Sequence, residues 1–210
     1  MKYGTVVWDF NGTLLDDVEV GIRSVNKLLS DRGLPVIESR DRYFDVFGFP
    51  IREYYERLGF DFQSESYDEL AVQWVEQYNH NVVSAPLCHG VRETLDMLRD
   101  ADVRQYVLSM TESSMLRMQL RQLGVEGYFS DVVGLEDYLA ESKLAIASAF
   151  TRREDLSDAV LIGDTVHDFE ASVAMGTDCI LVASGHQRRE QLERCGCPVV
   201  GTVLEIDWGI

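Results

Sequence analysis

The sequence predicts an α/β fold: a three-layer α/β/α arrangement with a doubly wound parallel sheet and an inserted all-helical subdomain. Three observations carry that reading. The apolar, β-branched and aromatic run Val6-Val7-Trp8 breaks off in the polar turn Asp9-Phe10-Asn11-Gly12-Thr13, the pattern of a strand buried on both faces that ends beside a ligand. From residue 91 onward, short apolar runs alternate with helical patterns, which calls for right-handed crossovers and parallel strands. Between these regions the periodicity is helical, with no convincing strand.

Taken in order, Val18, Gly21, Ile22, Val25, Leu28 and Leu29 recur at three- and four-residue spacing, marking an amphipathic helix that ends near Gly33. Asp16 and Asp17 suit its N-terminal end. Residues 43–78 hold eleven of the twenty-one aromatics, in helical patterns over 43–47, 54–58 and 70–78. A helical subdomain over 16–87, roughly seventy residues and large enough for its own core, is therefore expected to interrupt a core made of 1–15 and 88–210. Residues 84–90 read as the return linker. Then follow a helix over 91–98, a strand over 103–109, a helix over 113–123, a strand over 131–134 and a helix over 143–151. A buried strand over 159–163, a helix over 166–175, a strand over 179–183, a helix over 188–194 and a short strand over 198–200 complete the alternation.

The formal charge of −17, from 19 basic and 36 acidic residues, repels nucleic acid and anionic membranes at long range. A phosphorylated partner needs local rescue by cations. Lysine is confined to Lys2, Lys27 and Lys143, against sixteen arginines, so Lys143 stands out. No apolar run reaches the ~20 residues of a membrane span. Cys88, Cys179, Cys195 and Cys197 show no framework spacing, and no secretory signal is visible. That reads as a reduced, cytoplasmic protein in which Cys195-Gly196-Cys197 is a turn.

In a doubly wound sheet the strand ends converge on one crevice, so polar residues just beyond them become neighbours. Asp9, Ser109, Glu141-Ser142-Lys143 and Gly163-Asp164-Thr165-Val166-His167-Asp168 fit that description. These four stretches, with Pro86-Leu87-Cys88-His89-Gly90-Val91 and Tyr128 to Gly134 in support, resemble the ordered motifs of the haloacid dehalogenase superfamily. The resemblance spans nearly the whole chain and is nearest to phosphoglycolate-phosphatase-like hydrolases with a helical cap between the first and second motifs.

The resemblance implies a Mg²⁺-dependent phosphatase for a small phosphorylated acid or sugar, monomeric or homodimeric, with Asp9 as nucleophile and an aspartyl phosphate as intermediate. Asp9, Asp164, Asp168 and the main-chain carbonyl of Asn11 are then the metal-site residues, an all-oxygen set suited to a hard cation. Ser109, Lys143 and main-chain donors at Gly12, Thr13 and Met110 are expected to hold the phosphate. His167 is a candidate proton donor. Phe49 and Arg52, in a loop like that by which such caps meet substrate, are candidates for specificity, and the cap is expected to close over the crevice.

One residue departs from the pattern. The first motif of the superfamily reads D-x-D-G-T-L-x-D, and Asn11 occupies the second Asp, the general acid and base. An amide exchanges no proton at accessible pH, and losing a positioned acid typically costs ~10²–10⁴ in rate. Three outcomes stand open: turnover of esters with good leaving groups such as acyl phosphates, recruitment of another acid such as His167 or a cap residue, or binding of a phosphorylated ligand without turnover. A phosphotransferase or mutase is a further alternative.

Overall fold

The computed structural model describes residues 1–135 and 143–209. The chain divides into two compact units, one made of Met1–Asp16 and Pro86–Ile210, the other of Asp17–Ala85.

Among its described residues the first unit is built on six parallel strands: β1 (Thr5–Trp8), β2 (Arg104–Glu112), β3 (Asp131–Leu135), β4 (Ala159–Gly163), β5 (Asp178–Val182) and β6 (Val199–Val200). Their spatial order is β3-β2-β1-β4-β5-β6, so the first strand in sequence lies at the centre. Thr5 is level with Arg104 and Ala159, and Trp8 with Val107 and Ile162. The chain therefore leaves these three strands at one edge of the sheet, where the candidate residues follow.

Burial on both faces explains the continuous apolar run of β1. On one face Val7, Tyr106, Leu108 and Leu161 pack with Ala147, Phe150, Ala171 and Met175. The last four come from α7 (Lys143–Thr151) and α8 (Val166–Met175). On the other, the Trp8 indole N–H donates to Gln105 Oε1 at 3.1 Å, and the Gln105 amide donates onward to the Leu95 carbonyl at 3.2 Å. That network satisfies the one polar atom the large ring carries inside. Leu95 belongs to α5 (Val91–Asp100); α6 (Ser113–Gln122) and the short α9 (Arg189–Leu192) are the further α-helices among the described residues of this unit.

The second unit is all helical among its described residues, with α1 (Val18–Asp31), α2 (Arg40–Val46), α3 (Ile51–Arg57) and α4 (Tyr67–Val82). Ser39 and Ser66 cap α2 and α4 through their hydroxyls. Its core joins Val18, Ile22, Val25 and Leu29 to Tyr43, Tyr54, Tyr55 and Leu70. The rings of Tyr43 and Phe47 stack 4.9 Å apart, and Phe47 meets Tyr54 edge-on at 5.3 Å. A small helical unit has no sheet to bury, and these large side chains supply its apolar contact. Among the described residues no helix is long and apolar enough to cross a membrane.

One strand differs from expectation. β2 runs on past Ser109 to Glu112, with its register against β3 shifting between Leu108 and Glu112. Gly134 makes room for this extension, since a Cβ there would lie 2.6 Å from the Thr111 carbonyl oxygen.

Candidate active site

Asp9 is the first residue beyond β1, and its N–H still bonds the Ile162 carbonyl at 2.8 Å, so its carboxylate is carried at the carboxyl edge of the sheet by the strand ladder itself. The turn that follows needs Gly12: its φ is +74°, and a Cβ would strike the Asp164 carboxylate and the His186 ring. Thr13, fully buried, donates its hydroxyl to Asp164 Oδ1 at 3.3 Å.

Asp164 follows β4 in the same way. Gly163 before it has no room for a side chain, because a Cβ would run into Asp168. Asp168, in the first turn of α8, accepts at Oδ2 from the N–H groups of Asp164 (3.1 Å) and Thr165 (2.9 Å) and from the Thr165 hydroxyl (2.7 Å). These bonds satisfy donors that a helix start leaves open, and they lock the carboxylate's direction. Its other oxygen meets the Lys143 ammonium, which also reaches Asp9 Oδ1. Lys143 begins α7 and is buried between the two acids.

Carboxylate oxygens of Asp9, Asp164 and Asp168 lie within 4.8 Å of one another, and all three residues are buried. Burial first, then the neighbouring Asp168, pushes the Asp9 carboxyl well above the usual range, against the pull of Lys143. Burial likewise pushes Asp164 up to about 6, opposed by His186 and Lys143. For Lys143, burial disfavours the ammonium, but Asp168 and Asp9 outweigh it and raise the pKa. Three acids facing one ammonium hold a surplus of negative charge, and an all-oxygen donor set of this kind fits a hard divalent cation.

Beside this triad the Ser109 hydroxyl accepts the Thr111 N–H at 3.1 Å, and the Thr111 hydroxyl donates to Asn11 Oδ1 at 2.8 Å. Met110, between them, has an exposed side chain. Thus Asp9, Gly12, Thr13, Lys143, Asp164 and Asp168 converge, and Asn11 joins them to Ser109 through Thr111. Glu141 and Ser142 lie outside the described residues.

The other candidates sit differently. The His167 imidazole faces Glu170, with Nε2 to Oε2 at 3.8 Å, and burial lowers its pKa, which favours the neutral ring at pH 7. Arg52, in the helical unit, pairs with Glu56 at 3.3 Å and lies over the rings of Phe62 and Tyr67 at 5.0 and 5.6 Å. Phe49 stands edge-on to Phe47 at 5.6 Å.

Sequence reasoning missed Thr111 and the loop after β5. There the His186 N–H donates to Asp164 Oδ2 at 2.6 Å, Gly185 lies where a Cβ would strike Asp164, and Gln187 Oε1 accepts the Val166 N–H at 2.7 Å, closing the start of α8. The available signal was position: residues 184–187 follow a strand of the same sheet, just as the recognised loops do.

Residues 6–182 match the family model described as haloacid dehalogenase-like hydrolase. Among curated relatives, the tyrosine-protein kinase PtkA of Mycobacterium tuberculosis is 29% identical over 206 residues, covering 96% of this chain and 69% of its own. The phosphoglycolate phosphatase of Caulobacter vibrioides is 26% identical over 205 residues, covering 93% and 85%. The pyrophosphatase PpaX of Bacillus velezensis is 27% identical over 183 residues, covering 85% and 82%. Among solved structures, that of M. tuberculosis PtkA superimposes with a TM-score of 0.80 at 25% identity over 97% of this chain and 95% of its own. A predicted phosphatase from Clostridium acetobutylicum gives 0.77 at 22%, with the same coverage; at that identity the likeness concerns the fold.

Proposed function

The chain belongs to the haloacid dehalogenase-like hydrolase family, and from that premise we propose that it is a Mg²⁺-dependent phosphatase of a small phosphorylated acid or sugar, working through an aspartyl phosphate on Asp9. The observation that carries this reading is the buried group in which the Lys143 ammonium bridges Asp9 and Asp168 beside Asp164.

Asp9, Asp164 and the Asn11 main-chain carbonyl would hold Mg²⁺, which when bound supplies positive charge to offset that of the phosphate. A free oxygen of Asp9 attacks phosphorus in line with the ester oxygen, the P–O ester bond breaks, and the leaving alkoxide takes a proton from solvent water. Water then cleaves the acyl phosphate and restores the carboxylate. Lys143 favours the ionised form of Asp9 and directs its carboxylate, and with Ser109 and the Gly12 and Thr13 main chain it binds the phosphoryl oxygens. Asp168 is spent on orientation: three donors and Lys143 occupy its oxygens. Asn11 can donate an N–H to the leaving oxygen but cannot give up the proton. We further read the helical unit as the substrate-selecting cap, with Phe49 and Arg52 as its contacts, and the setting as the reducing cytoplasm, in keeping with four free cysteines.

A second reading is favoured by Asn11 together with the likeness to the tyrosine-protein kinase PtkA: the phosphoryl group on Asp9 passes to a hydroxyl instead of water, because no carboxylate stands at position 11 to activate water. Phosphate release from a panel of phosphate esters and acyl phosphates, with Mg²⁺, decides between them, with wild type run beside Asn11→Asp and Asp9→Asn. The phosphatase reading expects wild-type turnover that Asp9→Asn abolishes, a loss of ~10⁴-fold or more. Leaving-group release that exceeds phosphate release, with the phosphoryl group recovered on added alcohols or tyrosyl peptides, favours transfer, and binding without release of either leaves a ligand-binding protein.

A further inference from the structure

We propose that Thr111 is a positioning residue that sets which end of the Asn11 carboxamide faces the reacting phosphate. The inference deepens the phosphatase reading and rests on it.

A carboxylate at position 11 has two equivalent oxygens, and either can carry the proton. A carboxamide of nearly the same shape has one acceptor and one donor end. Only the N–H end can assist an oxygen that is gaining negative charge as its bond to phosphorus breaks; the carbonyl end opposes it. Replacing Asp by Asn therefore creates a need that the acid does not have, namely a partner that fixes the amide's orientation.

Thr111 meets that need. Its hydroxyl donates to Asn11 Oδ1 at 2.8 Å, which turns the carbonyl toward Thr111 and directs the N–H bonds to the opposite side of the amide plane's axis. The hydroxyl is itself held by what surrounds the strand extension. The Thr111 N–H is bonded to Ser109 Oγ at 3.1 Å. Its carbonyl lies against Gly134, where even a methyl group would clash. The next residue, Glu112, anchors the chain by accepting from the N–H groups of Ser114 and Met115 at 2.8 and 3.0 Å, at the start of α6. Ser109, the phosphate-binding candidate, and Asn11 are thereby tied to one another through a single threonine, and the hydrogen-bond line Ser109–Thr111–Asn11 runs from β2 to the first turn.

The test is the leaving-group dependence of turnover. Thr111→Val, which keeps the shape and removes the hydroxyl, and Thr111→Ser, which keeps the hydroxyl, are assayed on aryl phosphates of graded leaving-group strength and on acetyl phosphate. For the poorest leaving groups Thr111→Val should lower kcat by about tenfold, with KM little changed, while acetyl phosphate changes by less than about twofold, the loss of one oriented hydrogen bond. Thr111→Ser should restore the wild-type dependence, and in an Asn11→Asp background the valine effect should shrink to within about threefold, since the carboxyl needs no orienting. An equal fall across all leaving groups, or no restoration by serine, means that Thr111 only supports the fold and overturns the proposal. If wild type releases no phosphate from any ester, the phosphatase reading fails, and the orientation is then decided on the side-chain ¹⁵N–¹H signals of Asn11, identified by their loss in Asn11→Asp. Signals moved by valine and returned by serine uphold it; signals indifferent to Thr111→Val overturn it.

Discussion

Lys143 and Lys27 make the same kind of contact in the two units, with opposite consequences. Lys27 spans one helical turn to Asp31 on α1, with both side chains about half exposed, where water screens the pair and its geometry costs side-chain entropy. Lys143 touches Asp9 and Asp168 with all three side chains buried, where removing the ammonium takes away the positive charge that both carboxylates face. The glycines repeat the contrast. Gly12 and Gly33 both have positive φ, but a Cβ on Gly12 would meet Asp164 and His186 and one on Gly33 would meet nothing within 4 Å. At these positions of the sheet unit, then, residues are held by buried polar neighbours; at these positions of the helical unit they answer only to local backbone geometry.

The sharpest way to break this comparison is at the lysines. Lys143→Met should lower turnover by ~10²–10³-fold, as the loss of a preorganised charge does, and cost about 3 kcal/mol in denaturant unfolding, the range for breaking a buried pair. Lys143→Arg should recover little of the activity, because a planar guanidinium does not replace a point charge between two acids. Activity near wild type in either variant would sink the assignment of Lys143.

Next come the glycines. Gly12→Ala combines a left-handed backbone with a blocked Cβ and should destabilise by about 2–3 kcal/mol, with loss of metal affinity read by titration calorimetry. Gly33→Ala carries the backbone cost alone, about 1 kcal/mol, with metal affinity unchanged. Equal losses at the two sites would remove the distinction.

A smaller effect is expected from pH. Without a cation Asp164 has its pKa raised to about 6, so its contribution to stability is present below the unfolded value near 4 and is lost as pH rises through about 6. At the proposed metal site Mg²⁺ would bind the ionised form and offset the loss. Adding Mg²⁺ should therefore raise Tm more at pH 7.5 than at pH 5, and calorimetry or a thermal shift series reads this directly. An equal rise at both values would show that Asp164 does not ligate. The smallest effect belongs to Lys27→Ala, within about 0.5 kcal/mol of wild type. A larger change would mean that the helical surface is more than a solvated face.

Elements and the chemistry at their ends were legible in the chain because both are local. Val6 to Trp8 announces a buried strand by composition, Asp9 and Asp164 stand directly after strands, and Gly163 and Asp168 flank a helix start at fixed spacing. Even Lys143 was visible, through the scarcity of lysine. Thr111, His186 and Gln187 were not, since serine, threonine, histidine and glutamine near loops are common and carry no periodic signal. Their roles arise where β2 extends past its expected end and where the loop after β5 meets the turn after β1, between residues some 20 to 170 positions apart. Arg52 shows the same limit in the other direction: the sequence placed it in a loop that meets a ligand, whereas it lies in the first turn of α3, engaged with Glu56, Phe62 and Tyr67, which only packing reveals. The sequence by itself determined the strands, the helices and the acids that end them, because backbone periodicity and turn chemistry act over a few residues. Tertiary structure alone decided which amide, hydroxyl and main-chain N–H meet those acids, because a hydrogen bond requires a few tenths of an ångström of agreement between segments that only the completed sheet brings into register.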